Sequence, residues 1–150
     1  FKKEESRTNI KNTINVLVEN SYIPIINEND TVATDEIKFG DNDKLSALTA
    51  ALLKVDLLII ATNTNGIYSN ESIEIKKPET ITETADIQFL RDQIQTSVSL
   101  HGTGGMSTKI EASEIAQKAN IETWIVNGLK DNFVVNAIKN KSEFTKITIK

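Results

Sequence analysis

Residues 57–61 constrain the fold of this chain most, because they place five apolar side chains in a row, LLIIA, between polar flanks. An apolar run of this length is typical of a β-strand that is buried on both faces, as strands of a parallel sheet are. Such a strand needs helices on both sides of its sheet. The run therefore favours an α/β fold.

Amphipathic helices alternate with short apolar runs along the rest of the chain. Apolar periodicity predicts helices at residues 4–20, from residue 43, near residues 85–95, at 106–119 and at 131–138. Strands are predicted at 57–61, 121–126 and 144–149, and near 23–26, where Pro24 suits a strand start. The alternation predicts one domain over residues 1–150: a three-layer αβα sandwich with a mostly parallel sheet.

Composition excludes several classes of function. The 150 residues include no cysteine, so disulfides, thiolate metal sites and thiol nucleophiles are excluded. The net charge is −4 and basic residues are not clustered, which argues against a nucleic-acid partner. No apolar run approaches the roughly 20 residues of a membrane helix. We expect a cytoplasmic protein without a membrane partner, one that can still bind a small phosphate ligand.

Polar side chains follow three of the predicted strands. They lie at residues 27–30, 62–66 and 127–128, and most are Asn, Asp, Thr or Gly. In open α/β sheets, ligands bind beyond the carboxyl ends of the strands. These residues are also ordinary turn formers, so for any one strand end a turn is the favoured interpretation. The three together favour a site.

A glycine-rich run, GTGGMSTK at residues 102–109, precedes one predicted helix. Its glycines allow the backbone to approach a ligand and to aim N–H groups at it. The helix start adds free N–H groups and the positive end of a dipole. Lys109 is expected in the first turn, where its charge is unfavourable unless an anion binds. The alternative is a flexible turn with a Ser or Thr cap and a solvated lysine. The spacing is not that of a Walker A loop.

An acidic stretch covers residues 28–43. Its carboxylates belong to Glu28, Asp30, Asp35, Glu36, Asp41 and Asp43. Such a cluster can hold Mg²⁺, recognise an ammonium group or orient a lysine. Solvated loop charges are the alternative, and the pattern does not fit an EF-hand.

Three segments resemble the signature segments of the glutamate 5-kinase group of the amino-acid kinase family. They are IPIINENDTVA at residues 23–33, FGDNDKLSAL at 39–48 and GTGGMSTK at 102–109. They occur in the family's order, and the resemblance extends from about residue 8 nearly to the end of the chain. It implies the amino-acid kinase fold, and ATP-dependent phosphorylation of the γ-carboxylate of L-glutamate, the first step of proline synthesis, with Mg²⁺ accompanying ATP.

The resemblance also implies roles for individual residues. Asp30 and Asn42 would contact glutamate, Lys109 would neutralise charge on the transferring phosphoryl group, and Asp43 would orient that lysine. No protein ligand to a metal is implied. The implied nucleotide contacts are Thr62, Asn63, Thr103, Gly104, Gly105, Met106, Ser107, Thr108 and Lys109.

The chain departs from the family pattern in two respects. Asn63 and Asn65 stand where the family usually has Asp, which bears on nucleotide contact. The family's first strand, its N-terminal phosphate-contacting lysine and its two glycine loops have no counterpart here. We therefore expect that the chain is the C-terminal portion of a kinase domain, without an additional C-terminal domain. Alone it should be inactive and poorly stable. We also expect the full-length protein to be a homo-oligomer.

Two other hypotheses stay open. One is a relative with another acceptor, such as an acetylglutamate, aspartate or uridylate kinase. Asp30 and residues 40–43 argue against it. The other is a non-catalytic nucleotide-binding module of the same fold, which Asn63 and Asn65 favour slightly.

Overall fold

The computed structural model describes residues 4–27, 42–95 and 104–149. The helices in these stretches are α1 Glu4–Glu19, α2 Asn42–Leu53, α3 Asn70–Glu74, α4 Ile87–Gln95, α5 Gly104–Lys118 and α6 Phe133–Ile138. The strands are β1 Leu57–Thr62, β2 Glu83–Thr84, β3 Glu122–Asn127 and β4 Thr145–Ile147. Most predicted elements are confirmed. The short elements α3 and β2 were not predicted.

The four strands form one sheet in the order β1-β3-β4-β2. Strands β1 and β3 are parallel, with Leu58 beside Thr123 and Ile60 beside Ile125. Strands β2 and β4 are also parallel, whereas β3 and β4 are antiparallel. Two of the three strand pairings of the described sheet are parallel, so the predicted mostly parallel sheet is confirmed, and β2 and β4 run opposite to β1 and β3.

One face of the sheet carries the main hydrophobic core. Leu58, Ile60 and Ile125 of the sheet pack in one cluster with buried residues of α2, α4 and α5. The residues from these helices are Ala47, Ala50, Ile87, Leu90, Ile110, Ala112 and Ala116. Burying an isoleucine or leucine side chain contributes about 1.5–3 kcal/mol to folding, so this cluster holds the three helices on the sheet.

The opposite face is only partly covered. Trp124 packs against Phe144 with ring centroids 4.8 Å apart. Val126 borders a small cavity with Phe133 of α6, so α6 forms the second helical layer of the sandwich. Ala61 of β1 is exposed. The prediction that β1 is buried on both faces is therefore correct for one face only: Leu58 and Ile60 pack in the core with the helices, whereas the side chains of the other face are half-buried or exposed.

The strand predicted near residues 23–26 is not formed. Ile23 and Ile25 are 90% and 95% exposed. A strand is stable only when its backbone groups pair with a neighbour, and none of the described strands pairs with this run. The apolar composition of this run was therefore not enough to predict a strand.

Within the three described stretches, no helix is both long and apolar enough to cross a bilayer.

Helices α2 and α5 each lead into a parallel strand of the sheet. Residues 54–56 connect α2 to β1, and residues 119–121 connect α5 to β3. After such a short connection the helix runs antiparallel to its strand. A 12-residue helix is about 18 Å long and a six-residue strand about 20 Å. The first turns of both helices therefore lie at the carboxyl edge of β1 and β3.

Candidate functional site

Small side chains bring α2 and α5 close together at this edge. On α2, Ala47 and Ala50 follow Asp43 at i+4 and i+7, and both are buried. On α5, Ala112 and Ala116 follow Lys109 at i+3 and i+7, and both are completely buried. Positions with this spacing share one helix face. Because the facing side chains are methyl groups, the two helix backbones can approach until their first turns meet.

A short polar contact between the two helices joins Lys109 to Asp43. Lys109 Nζ donates to Asp43 Oδ2 at 2.8 Å. Only 15% of the lysine side chain and 20% of the aspartate side chain are exposed, so water screens this pair less than a surface ion pair. Removing either partner would leave a charge in a mostly buried place, which is strongly unfavourable.

Lys109 differs in position from the sequence prediction. Helix α5 begins at Gly104 rather than at residue 106, so Lys109 lies in the second turn. Asp43 lies within the first turn of α2. A carboxylate in a first turn is stabilised by the helix dipole. The two charges are therefore compatible with their helices without any bound ligand.

Hydroxyl groups surround the ion pair. Thr108 Oγ1 donates to Asp43 Oδ2 at 3.0 Å, which makes Thr108 a second donor to the oxygen that Lys109 contacts. Ser46 Oγ donates to the Asp43 carbonyl and Ser113 Oγ to the Lys109 carbonyl, each at 2.7 Å. Thr108 was predicted to contact the nucleotide, and its contact with Asp43 was not predicted. The sequence does hold a signal for this contact: an acidic residue lies at the start of one helix, and adjacent Thr and Lys residues lie near the start of another.

The carboxyl ends of β1 and β3 are joined directly. Gly128 N–H donates to the Thr62 carbonyl at 2.8 Å, and Asn127 Nδ2 donates to Asn65 Oδ1 at 3.0 Å. A Cβ on Gly128 would lie 2.9 Å from Ala61 Cβ, so the close approach requires glycine. The convergence predicted for these two strand ends is confirmed. The third, near residue 26, is not a strand end, and residues 28–41 lie outside the described residues.

The predicted site residues fall into four groups. Thr108 and Lys109 both contact the carboxylate of Asp43. Thr62 and Asn63 lie at the carboxyl end of β1, where Thr62 Oγ1 is 3.5 Å from Asn63 Oδ1. Asp30 and Thr103 lie outside the described residues. The others open the two helices: Asn42 begins α2, and Gly104, Gly105, Met106 and Ser107 form the first turn of α5.

This edge combines features that suit an anionic ligand. The first four N–H groups of a helix have no partner within it, and the first turns of α2 and α5 both lie here. Lys109 adds a positive charge that Asp43 fixes in place. Gly105 is exposed, and no atom of the described residues lies within 4 Å of an added Cβ, so these residues leave a ligand access to the backbone there.

Comparisons with known proteins identify the class. The family described as "Amino acid kinase family" matches residues 1–127, and the chain belongs to this family. Its fold is similar to that of UMP kinase from Ureaplasma parvum, with a TM-score of 0.63 and 18% identity, covering 92% of this chain and 50% of that chain. Carbamate kinase from Giardia lamblia bound to AMP-PNP gives a TM-score of 0.62 and 20% identity, covering 93% and 44%. The predicted amino-acid kinase fold is confirmed.

Curated relatives are more similar in sequence. The glutamate 5-kinase of Shewanella woodyi is 41% identical over 145 residues, which is 96% of this chain. The chain spans 39% of the length of that relative. The predicted resemblance to this group is therefore confirmed for the stretch that the chain covers.

Proposed function

We propose that this chain forms the part of a glutamate 5-kinase that holds the phosphoryl-transfer lysine and contacts both substrates. In the complete protein, the reaction would transfer the γ-phosphoryl group of ATP to the γ-carboxylate of L-glutamate. The product would be glutamyl 5-phosphate, and the step would open proline biosynthesis in the cytoplasm. The names of the curated relatives and the ion pair at the sheet edge support this proposal.

The Lys109–Asp43 ion pair is the observation that carries the proposal. Both ATP and the acceptor carboxylate are anionic, so their approach requires positive charge at a fixed position. In-line phosphoryl transfer depends on such positioning and charge neutralisation more than on covalent help. Asp43 would hold Lys109 ready, and the lysine would shift its contact toward the phosphoryl oxygens as they gain charge.

The acceptor needs no general base, because the γ-carboxylate of glutamate is already ionised near neutral pH. Asp30 would pair with the ammonium group of glutamate, and Asn42 would donate to one of its carboxylates. Asn42 is exposed and adjacent to Asp43, so it is accessible to a ligand at the ion pair. Thr62, Asn63 and residues 103–109 would contact the nucleotide.

Magnesium is expected as a companion of ATP rather than as a resident ion of these elements. No group of three or more acidic or histidine side chains that could hold a metal occurs within residues 4–27, 42–95 and 104–149. Mg²⁺ commonly retains its waters and binds through substrate phosphates. The described residues therefore provide no dedicated cage for it, and we assign no catalytic step to it.

The test is an acceptor panel on the complete natural polypeptide that contains this chain. Release of ADP is measured with ATP and L-glutamate, N-acetylglutamate, aspartate or UMP, and the acyl phosphate is trapped as its hydroxamate. We expect product with L-glutamate alone. Product with another acceptor in its place would refute the assignment. We also expect the 150-residue chain by itself to give no turnover.

A non-catalytic nucleotide-binding module is the second candidate, since Asn63 and Asn65 replace acidic residues of the family. Asn65 Oδ1 accepts a hydrogen bond from Asn127 Nδ2, and an aspartate would accept the same bond. This contact is therefore retained, and the substitution at 65 argues less against catalysis than the sequence suggested. ATP binding by the complete protein without a trapped acyl phosphate would favour the module.

A further inference from the structure

We infer that Thr108 acts as a positioning residue for the Asp43–Lys109 ion pair rather than as a nucleotide contact. This inference rests on the proposed phosphoryl transfer and assigns Thr108 a different role within it. Its basis is the shared acceptor: Thr108 Oγ1 lies 3.0 Å and Lys109 Nζ 2.8 Å from Asp43 Oδ2.

Two adjacent residues of a helix normally point in directions about 100° apart. Thr108 and Lys109 nevertheless reach the same oxygen, so the Asp43 carboxylate lies over the groove between them. A lysine ammonium is a compact charge on a flexible stem, and it does not fix the rotation of a carboxylate. The threonine hydroxyl sits on a short, stiff side chain. It therefore supplies the directional part of the contact.

The hydroxyl of Thr108 has one proton and two acceptors within reach. Gly105 O is 3.1 Å from Thr108 Oγ1, close to the 3.0 Å distance to Asp43. A hydrogen bond to a charged acceptor is roughly twice as strong as one to a neutral carbonyl. The Gly105 carbonyl is also available to the backbone ladder of α5. The proton therefore favours Asp43, and Thr108 is engaged before any nucleotide binds.

This arrangement has a consequence for catalysis. As Lys109 moves toward the phosphoryl oxygens, its ion pair with Asp43 would weaken. The Thr108 hydroxyl would keep the carboxylate in place, so that Lys109 moves relative to a fixed anchor. Loss of the hydroxyl should then affect the chemical step more than the binding of ATP.

The experiment compares Thr108→Val, Thr108→Ala and Thr108→Ser in the complete protein. We expect Val and Ala to lower kcat about tenfold with little change in the KM for ATP, while Ser, which keeps the hydroxyl, stays near wild type. Thr13→Val is the matched control, because Thr13 is an exposed helical threonine whose hydroxyl contacts the Asn9 carbonyl at 2.9 Å. Far-ultraviolet circular dichroism checks that each variant folds.

A second readout does not depend on turnover. The rate at which acetic anhydride acylates Lys109 is measured by mass spectrometry without nucleotide. Val and Ala should increase this rate, and Ser and Thr13→Val should leave it unchanged. A raised KM for ATP with unchanged kcat and unchanged acylation would assign Thr108 to the nucleotide and overturn the inference, as would no change in either readout. If wild type phosphorylates no glutamate, the proposed function fails while the acylation rates still decide the role of Thr108.

Discussion

Lys109 Nζ lies 2.8 Å from Asp43 Oδ2, although the two residues are 66 positions apart in the sequence. One residue belongs to the helix before β1 and the other to the helix before β3. Because these strands are adjacent and parallel, the two helices lie side by side with their first turns at the same edge. The ion pair is therefore a direct result of the topology of the sheet.

Replacing Lys109 by methionine should abolish most of the activity of the complete protein. Methionine keeps the length of the side chain and removes its charge, and loss of one electrostatic donor typically lowers kcat by about 10²–10³. The measurement is kcat with saturating ATP and L-glutamate. Lys118→Met is the control, since Lys118 lies on the same helix with 73% of its side chain exposed. Comparable turnover in the two variants would contradict the role of Lys109.

Gly105→Ala should separate stability from nucleotide binding. Alanine is favoured over glycine in a helix by about 0.5–1 kcal/mol, and an added Cβ would have no atom of the described part of the chain within 4 Å. Unfolding by urea should therefore need slightly more denaturant. If a nucleotide approaches the backbone here, the methyl group should raise the KM for ATP severalfold. An unchanged KM would exclude close contact at this residue.

Gly66→Ala should destabilise the chain without touching the ion pair. Gly66 has φ +115°, and an added Cβ would lie 2.6 Å from the backbone nitrogen of Thr145. Thr145 Oγ1 also accepts from the Ile67 N–H at 2.7 Å, so this contact cannot move freely. We expect a loss of about 2–3 kcal/mol in the free energy of unfolding, measured by urea denaturation. The result for Gly105→Ala serves as the comparison, and equal effects of the two substitutions would argue against strain at Gly66.

The stability of the α4–α5 contact should depend on pH through Glu114. Lys118 and Arg91 pair with Glu114 and hold the pKa of its carboxyl below the ordinary value of 4.5, although partial burial opposes this. The folded pKa is lowered, so the stabilisation is fully present above pH 4.5 and is lost as the pH falls through the folded pKa. The change should be modest because the pair is partly exposed.

The measurement is the urea midpoint between about pH 6 and pH 3. In the Glu114→Gln variant, the urea midpoint should fall less steeply below pH 4.5 than in the wild type. Glu111→Gln, at an exposed position on the same helix, should follow the wild-type curve. If the urea midpoint falls equally with pH in all three proteins, Glu114 does not contribute to the pH dependence of stability.

The elements with strong internal patterns were predicted correctly from the sequence. The prediction failed where the formation of a strand depends on pairing with another strand. Strand β1 and helices α2 and α5 carry apolar periodicities that suit one structure each. Strand β2 has only two residues and is defined by its parallel pairing with β4. A pairing with a distant segment leaves no pattern in the local sequence. The run at residues 23–26 has the composition of a strand without a described partner strand.

The candidate site was predictable in its members but not in its contacts. The glycine-rich run and Asp43 could be singled out from residue type and spacing, and the resemblance paired Asp43 with Lys109. The start of α5 at Gly104 places Lys109 in the second turn, because the helix includes the two consecutive glycines at 104 and 105, which have low helix propensity. The approach of Thr108 to Asp43 depends on the spacing of two helices, which no local pattern encodes.

The buried alanines between α2 and α5 act as spacers of fixed thickness. Their methyl groups have no rotamers, so the separation of the α2 and α5 backbones beside Asp43 and Lys109 does not depend on side-chain conformation at these positions. A larger residue at Ala47 or Ala112 would push the charges apart without altering either of them. Natural selection on the ion pair should therefore extend to these two methyl groups, which makes the tolerance of Ala47 and Ala112 to substitution a measure of how precisely the charges must meet.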